Sequence, residues 1–274
     1  PETVAAIAAA GHEQALHFNA LADSDGMPWS LESLREQHEW AKRIAGEPII
    51  SNKNHYTRWE GWTQFYEWCA QIGIQIDETR GPSKAGTVGF PYGTSHVGFP
   101  VSEAGATHTV LALPLHCQDL GWASHEAAAP SILDHALARN GVAHFLFHCV
   151  HLSRRPRVVD ALREVVSGGR RRGMPWWTAA QINAFERSRR RIEIDVRANG
   201  AGWVVRADAT GPLDRAGILV AVSDVASGWK AHRVIDGVDV PVDVVERHGR
   251  AFVELLVDLP TGATEIELVP STGG

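Results

Sequence analysis

Three cysteines are all this chain has, and Cys69, Cys117 and Cys149 lie far apart. Their odd number and the lack of any CxxC pair exclude a disulfide framework, which favours a reducing compartment, read here as cytoplasmic. No apolar stretch approaches the roughly 20 residues that a membrane helix needs, so no membrane span is expected. Positive charge is not in excess. The 26 Lys and Arg against 32 Asp and Glu leave a net charge of −6, which argues against a general nucleic-acid binder. The chain has no GxSxG elbow, no Walker loop and no GxGxxG before a helix, so the usual serine-hydrolase and nucleotide signatures are missing. It also lacks internal repeats and low-complexity tracts.

What is present is unevenly spread. Twelve of the fourteen histidines precede residue 152 and eight of the ten tryptophans precede residue 178. A chemical domain over 1–191, followed by a plainer module over 192–274, accounts for that split. The chain's 274 residues, 44% of them hydrophobic, suffice for one large and one small domain.

The first domain alternates short apolar runs with helical patterns. Strands are expected at 13–18, 48–52, 74–77, 109–115 and 142–148. Helices are expected at 31–45 after a Ser30 cap, at 59–72 up to Gly73, at 126–139, at 156–168, and at 179–190 after a Thr178 cap. The run Val142–His148 reads as a strand buried on both faces. Alternation of this kind predicts a parallel sheet covered by helices, and the number of units suits a (β/α) barrel. A long glycine-rich connection at 78–108 is expected to be ordered and to line a site. From residue 192 the segments become short, alternating and separated by turns about every ten residues, the pattern of a small all-β sandwich.

Histidine recurs at the strand ends. His17 ends one strand, Asn52, Asn54, His55 and Arg58 follow the next, His116 and Asp119 follow another, and His148 ends its own. In a parallel barrel these ends share one face, where several histidines suit a divalent metal such as zinc. The same residues also fit a set of unrelated hydrogen-bonded histidines. His12, five residues before His17, is read as structural. The aromatics of 59–72 are read mainly as core packing, and the arginine runs as solvated helix ends.

These motifs, in this order, resemble the polysaccharide deacetylase superfamily (NodB-like, carbohydrate esterase family four), in a divergent branch. Gly11-His-Glu-Gln-Ala-Leu-His17 resembles its metal-binding segment, although Leu21 stands where a second metal histidine would be. Asn52–Trp59 sits where the family has its arginine motif, and Leu146-Phe147-His148 matches its Leu-x-His motif. Gly89–Thr94 and Leu113–Asp119 resemble the segments that shape its groove.

The resemblance implies a distorted seven-stranded (β/α) barrel and a metal-dependent hydrolase that removes acetyl groups from N-acetylated sugars. It implies His148 as general acid, Arg58 as the residue that orients a catalytic aspartate, and His17 as metal ligand. Beyond the resemblance, His55 or His96 is read as the ligand that would substitute at the position of Leu21. Trp59, Tyr92, His116 and Asp119 would meet the carbohydrate substrate. The family's paired aspartates have no counterpart here and would precede Pro1, which together with an opening that reads like a helix tail gives the expectation of a truncated N-terminus. Two other functions fit the residues: a non-catalytic carbohydrate-binding protein on a degenerate barrel, and a metal hydrolase of another C–N bond.

Overall fold

The structure is a computed structural model that describes residues 2–21, 26–222, 228–247 and 249–271. The chain divides into two compact units, Pro1–Asn183 and Ala184–Gly274.

The first unit is built around short parallel ladders. Helix α1 spans Glu2–Ala9 and α2 spans Leu31–Ala45. Ser30 caps α2 by accepting the Ser33 amide at 3.1 Å, and Gly46 ends it at φ 71°, a conformation that glycine adopts without a Cβ clash. Strand β1 (Ser51–Asn52) pairs in parallel with β2 (Ile76–Asp77), which pairs with β3 (Leu111–Ala112). On the far side of β1, Leu16 bridges Asn52. Helix α3 (Gln64–Ile72) lies between β1 and β2 in sequence.

The segment after β3 then changes partner. Leu113 and Leu115 donate to Asp77 and Arg80, whereas His116 and Asp119 donate to His144 and Leu146. The second half of this segment is β4 (Cys117–Gln118), paired in parallel with β5 (Phe145–Leu146). Among the described residues no ladder joins Leu16 to β5, so the wall stays open at that seam. Helices α4 (Ala128–Ala138), α5 (Cys149–Arg154), α6 (Pro156–Arg171) and α7 (Ala179–Arg189) complete the order. The division between the units falls within α7.

The core follows from the sequence. Val110 to Cys117 is buried throughout, as an apolar run in the middle of a parallel wall must be. The run at 142–148 is different. Every residue from Val142 to His148 is only half-buried, because β5 pairs with β4 on one edge alone. The expectation of burial on both faces fails there. An apolar run reports contact with a core, and it does not report how many neighbours the strand has.

The second unit is antiparallel. One sheet has the order β10 (Asp239–Val240), β9 (Trp229–Arg233), β13 (Gly262–Pro270), β7 (Gly202–Ala209), β6 (Glu193–Asn199). The other has β11 (Val242–Arg247), β12 (Arg250–Leu259), β8 (Leu213–Ala221). Burial repeats every second residue, at Val253, Leu255, Val257 and Leu259 for example, which is the strand period. Both sheets contribute to one apolar core that includes Val205, Ile218, Leu255 and Ile266. No helix among the described residues is long and apolar enough to cross a membrane.

Candidate active site

Asp119 leaves the end of β4 in the left-handed region, at φ 41°. Aspartate tolerates this better than most residues because its short side chain bonds locally. Its carbonyl accepts the amides of Trp122 and Ala123 at 3.0 and 2.9 Å, closing a tight turn. The carboxylate is thereby aimed at the first turn of α5. Oδ1 accepts the backbone N–H of His148 at 2.8 Å, and Oδ2 lies 2.6 Å from His148 Nδ1. His151 Nε2 lies 3.9 Å from the same Oδ2.

This pair has a definite electrostatic sense. An ionised carboxylate only accepts, so Nδ1–H donates and Nε2 remains free to exchange a proton. The His148 side chain is 39% exposed while that of Asp119 is 2% exposed, so the imidazole reaches solvent from an anchored base. Burial alone would raise the Asp119 pKa, but the two His148 hydrogen bonds outweigh it and hold the carboxyl below its ordinary value.

A second histidine pair stands beside it. His17 Nε2 lies 3.1 Å from His55 Nδ1, with the rings edge to face. Desolvation by the protein around the ring, which keeps an exposed edge, is reinforced by the charges of His55, Lys53 and His148 and pulls the His17 pKa down to about 4. The His17 ring is therefore neutral near pH 7, and its electrostatic coupling to His148 places the two pairs in one neighbourhood.

Beneath them lies a sealed polar layer. Asp77 is fully enclosed at the end of β2, where Asn52 Nδ2 and Thr79 Oγ1 donate to its Oδ1 at 2.8 and 2.7 Å. Burial pushes its pKa up to about 6 in spite of these bonds. Lys53 is also buried, donates to the Glu78 carbonyl at 2.8 Å, and is pulled down to about 8 by desolvation.

The structure brings together His17, His55, His148 and Asp119 of the residues read from the sequence. It does not bring His96, which is exposed on the long loop and whose amide bonds its neighbour Thr94. His116 is fully enclosed, and its Nδ1 accepts the His144 amide at 3.1 Å. It locks two chain segments together and cannot touch a substrate. It stands where the wall changes partner, the Leu115 amide donating to Arg80 and the His116 amide to His144, inside a stretch buried on both faces.

Arg58 pairs with Glu60 rather than with the buried aspartates. Trp59 packs on Phe65 and Tyr66 and carries the Arg80 guanidinium 4.8 Å from its ring centroid, so its role is mainly packing. Tyr92 is 62% exposed and held at φ 63°, displayed from the loop. His151, Asp77 and Lys53 were not singled out by the sequence reading. The signal for His151 was its spacing of three from His148, which puts both on one side of a helical turn.

Asp119, His148 and His151 each offer a ligand atom, all within 4.8 Å of one another. One carboxylate oxygen and two imidazole nitrogens form a donor set that divalent zinc accepts. His17 Nε2 and His55 Nδ1, two nitrogens facing each other at 3.1 Å, are also placed as two imidazole ligands of one cation would be.

No protein-family model matches the chain, and no curated protein matches it. Solved structures give distant likenesses. A Bordetella bronchiseptica protein described as a polysaccharide deacetylase involved in O-antigen biosynthesis is 15% identical, with TM-score 0.28, over 67% of this chain and 81% of that one. A family 30 subfamily 8 xylanase from Clostridium acetobutylicum is 9% identical, with TM-score 0.21, over 88% of this chain and 71% of its own. The isomalto-dextranase of Arthrobacter globiformis T6 is 10% identical, with TM-score 0.27, over 90% and 42%. TM-scores this low fix no residue correspondence, so the side chains themselves carry the chemistry.

Proposed function

We propose that the chain is a hydrolase that removes the acetyl group from an N-acetylated sugar, built on an open (β/α) barrel with a β-sandwich after it. The observation that carries this reading is the Asp119–His148 pair, with one imidazole nitrogen anchored at 2.6 Å and the ring open to solvent at a strand end. Asp119 fixes the tautomer and orientation of His148. His148 Nε2 takes a proton from the attacking water as its oxygen bonds to the acetyl carbon, and delivers that proton to the departing amine as the amide C–N bond breaks. The neutral His17, with His55 Nδ1 facing it at 3.1 Å, would hold a divalent cation, which when bound would polarise the acetyl carbonyl and acidify a water. The motif resemblance supports the amide as the bond cleaved and carbohydrate as the substrate class.

A second reading follows from the 4.8 Å grouping, in which Asp119, His148 and His151 hold the cation themselves. The two are separated by measuring metal content in His55→Ala and His151→Ala. Loss of metal only in the first supports the acid–base role of His148, and loss only in the second supports the alternative. Function is tested by acetate release from N-acetylated oligosaccharides. His148→Gln should abolish it with little change in melting temperature, and undiminished release in that variant would overturn the assignment.

A further inference from the structure

The arginines that follow α5 are not all accounted for by the fold. Arg157 pairs with Glu126 at 2.6 Å and Arg163 with Asp160 at 3.2 Å. Among the described residues neither Arg154 nor Arg155 is ion-paired with a carboxylate, and both are exposed. They line an open cleft of about 340 Å³ together with Leu152, Pro156, Asp160 and Arg163. Three arginines against one aspartate leave this cleft net positive, although the chain as a whole carries −6.

The cleft is joined to the Asp119–His148 pair by a stack of side chains. The Arg155 guanidinium sits 4.4 Å from the ring centroid of Trp122, which sits 4.0 Å from the ring of His151, whose Nε2 lies 3.9 Å from Asp119. Backbone holds the stack in place. The Arg155 amide donates to the His151 carbonyl at 2.9 Å. At Gly121, φ 85°, an added Cβ would lie 2.6 Å from the Arg157 carbonyl, so only glycine lets the Asp119 turn approach α6 this closely. Charge placement also runs against helix preference. The first turn of α6 has no acidic residue, although its positive end would favour one. The carboxyl end of α5 offsets this only in part, being six residues long.

We propose that this cleft binds an anionic group carried by the substrate, a carboxylate or a phosphate, beside the sugar whose acetyl group is at His148. Arg155 is pre-oriented by Trp122, so it presents its fork of donors with little ordering cost, which suits the planar or tetrahedral oxygens of such a group. The proposal rests on the hydrolase reading for its geometry, and binding tests it separately.

Calorimetry on the whole protein would compare four probes: a neutral N-acetylglucosamine oligomer, an oligomer of the same length alternating N-acetylglucosamine with glucuronate, N-acetylglucosamine, and N-acetylglucosamine 1-phosphate. At least one anionic probe should bind roughly tenfold tighter than its neutral counterpart at low salt, with the advantage shrinking as salt rises. A uronate advantage assigns a polymer substituent, and a phosphate advantage assigns a phosphorylated sugar. Arg155→Gln combined with Arg154→Gln should erase the advantage, whereas Arg170→Gln, which removes one charge outside the cleft, should keep it. Equal affinity for neutral and anionic probes would overturn the proposal, as would an advantage that survives the double change. Anion preference without acetate release would sink the hydrolase reading alone, and acetate release without anion preference would sink this one alone.

Discussion

Two enclosed aspartates end strands of the same unit, and their surroundings drive them in opposite directions. Asp77 meets amide and hydroxyl donors in a sealed layer and is pushed up to about 6. Asp119 meets the ring and backbone of His148 and is held below its ordinary value. Both are 1% exposed, but Asp77 lies deeper among protein atoms and loses more hydration. Asp119 also has a partner that can carry a positive charge and reach solvent. The same contrast divides the two units. Among the described residues, every buried polar or charged residue apart from Glu186 and Thr264 belongs to the first unit. Long antiparallel ladders satisfy the second unit with an apolar core, while the first buries polar groups such as Asn52, Asp77 and Asp119 in or beside two-residue ladders.

The sharpest way to break the comparison is to remove the charge from each aspartate in turn. Asp119→Asn should lower acetate release on the order of 10³-fold, since the imidazole loses its orienting acceptor. Asp77→Asn should cost far less, and equal losses in steady-state rate would show that both belong to one catalytic unit.

Stability should divide them too. The folded pKa of Asp77 lies above the unfolded value, so its contribution is complete at low pH and is lost as pH rises through about 6. Between pH 4 and pH 7 that loss is about 2 kcal/mol. In urea melts the cost of Asp77→Asn should therefore shrink by that amount over the same range. A constant difference would mean that Asp77 is ionised throughout.

His116 offers the opposite slope. Burial pulls its pKa down to about 3, so it must stay neutral in the folded chain. Its contribution is present above the unfolded value of 6.5 and is lost as pH falls, by about 2 kcal/mol at pH 5. His116→Asn, which cannot take up the proton, should melt with less acid sensitivity than the parent protein. The smallest effect concerns neither charge. Ser30→Ala removes one cap bond and should cost about 1 kcal/mol by thermal or urea unfolding, at any pH.

That last case marks what was legible in the sequence. Ser30, Gly46, Gly73 and Thr178 punctuate helices by local bonding and backbone conformation, so their roles could be read from a few residues. Strand ends were legible as places where His17, Asp119 and His148 would gather. The ligand grouping was not, because His17 and His55 meet across 38 residues and His96 sits on a loop whose path no local rule sets. His151 escaped because Cys149–Arg154 is a helix too short to show a period. His116 was misjudged for a related reason: Val110 to Cys117 is buried on both faces, and the His144 amide that His116 accepts comes from 28 residues away, beyond any local rule.

The backbone at Asp119 has a consequence for how this protein could change over generations. Its left-handed turn leaves asparagine and glycine as the replacements that keep the chain's path. Codon drift to asparagine would discard the charge and spare the architecture. On the proposed hydrolase reading, the chain thus stands one exchange away from a descendant that still grips its ligand and no longer transforms it.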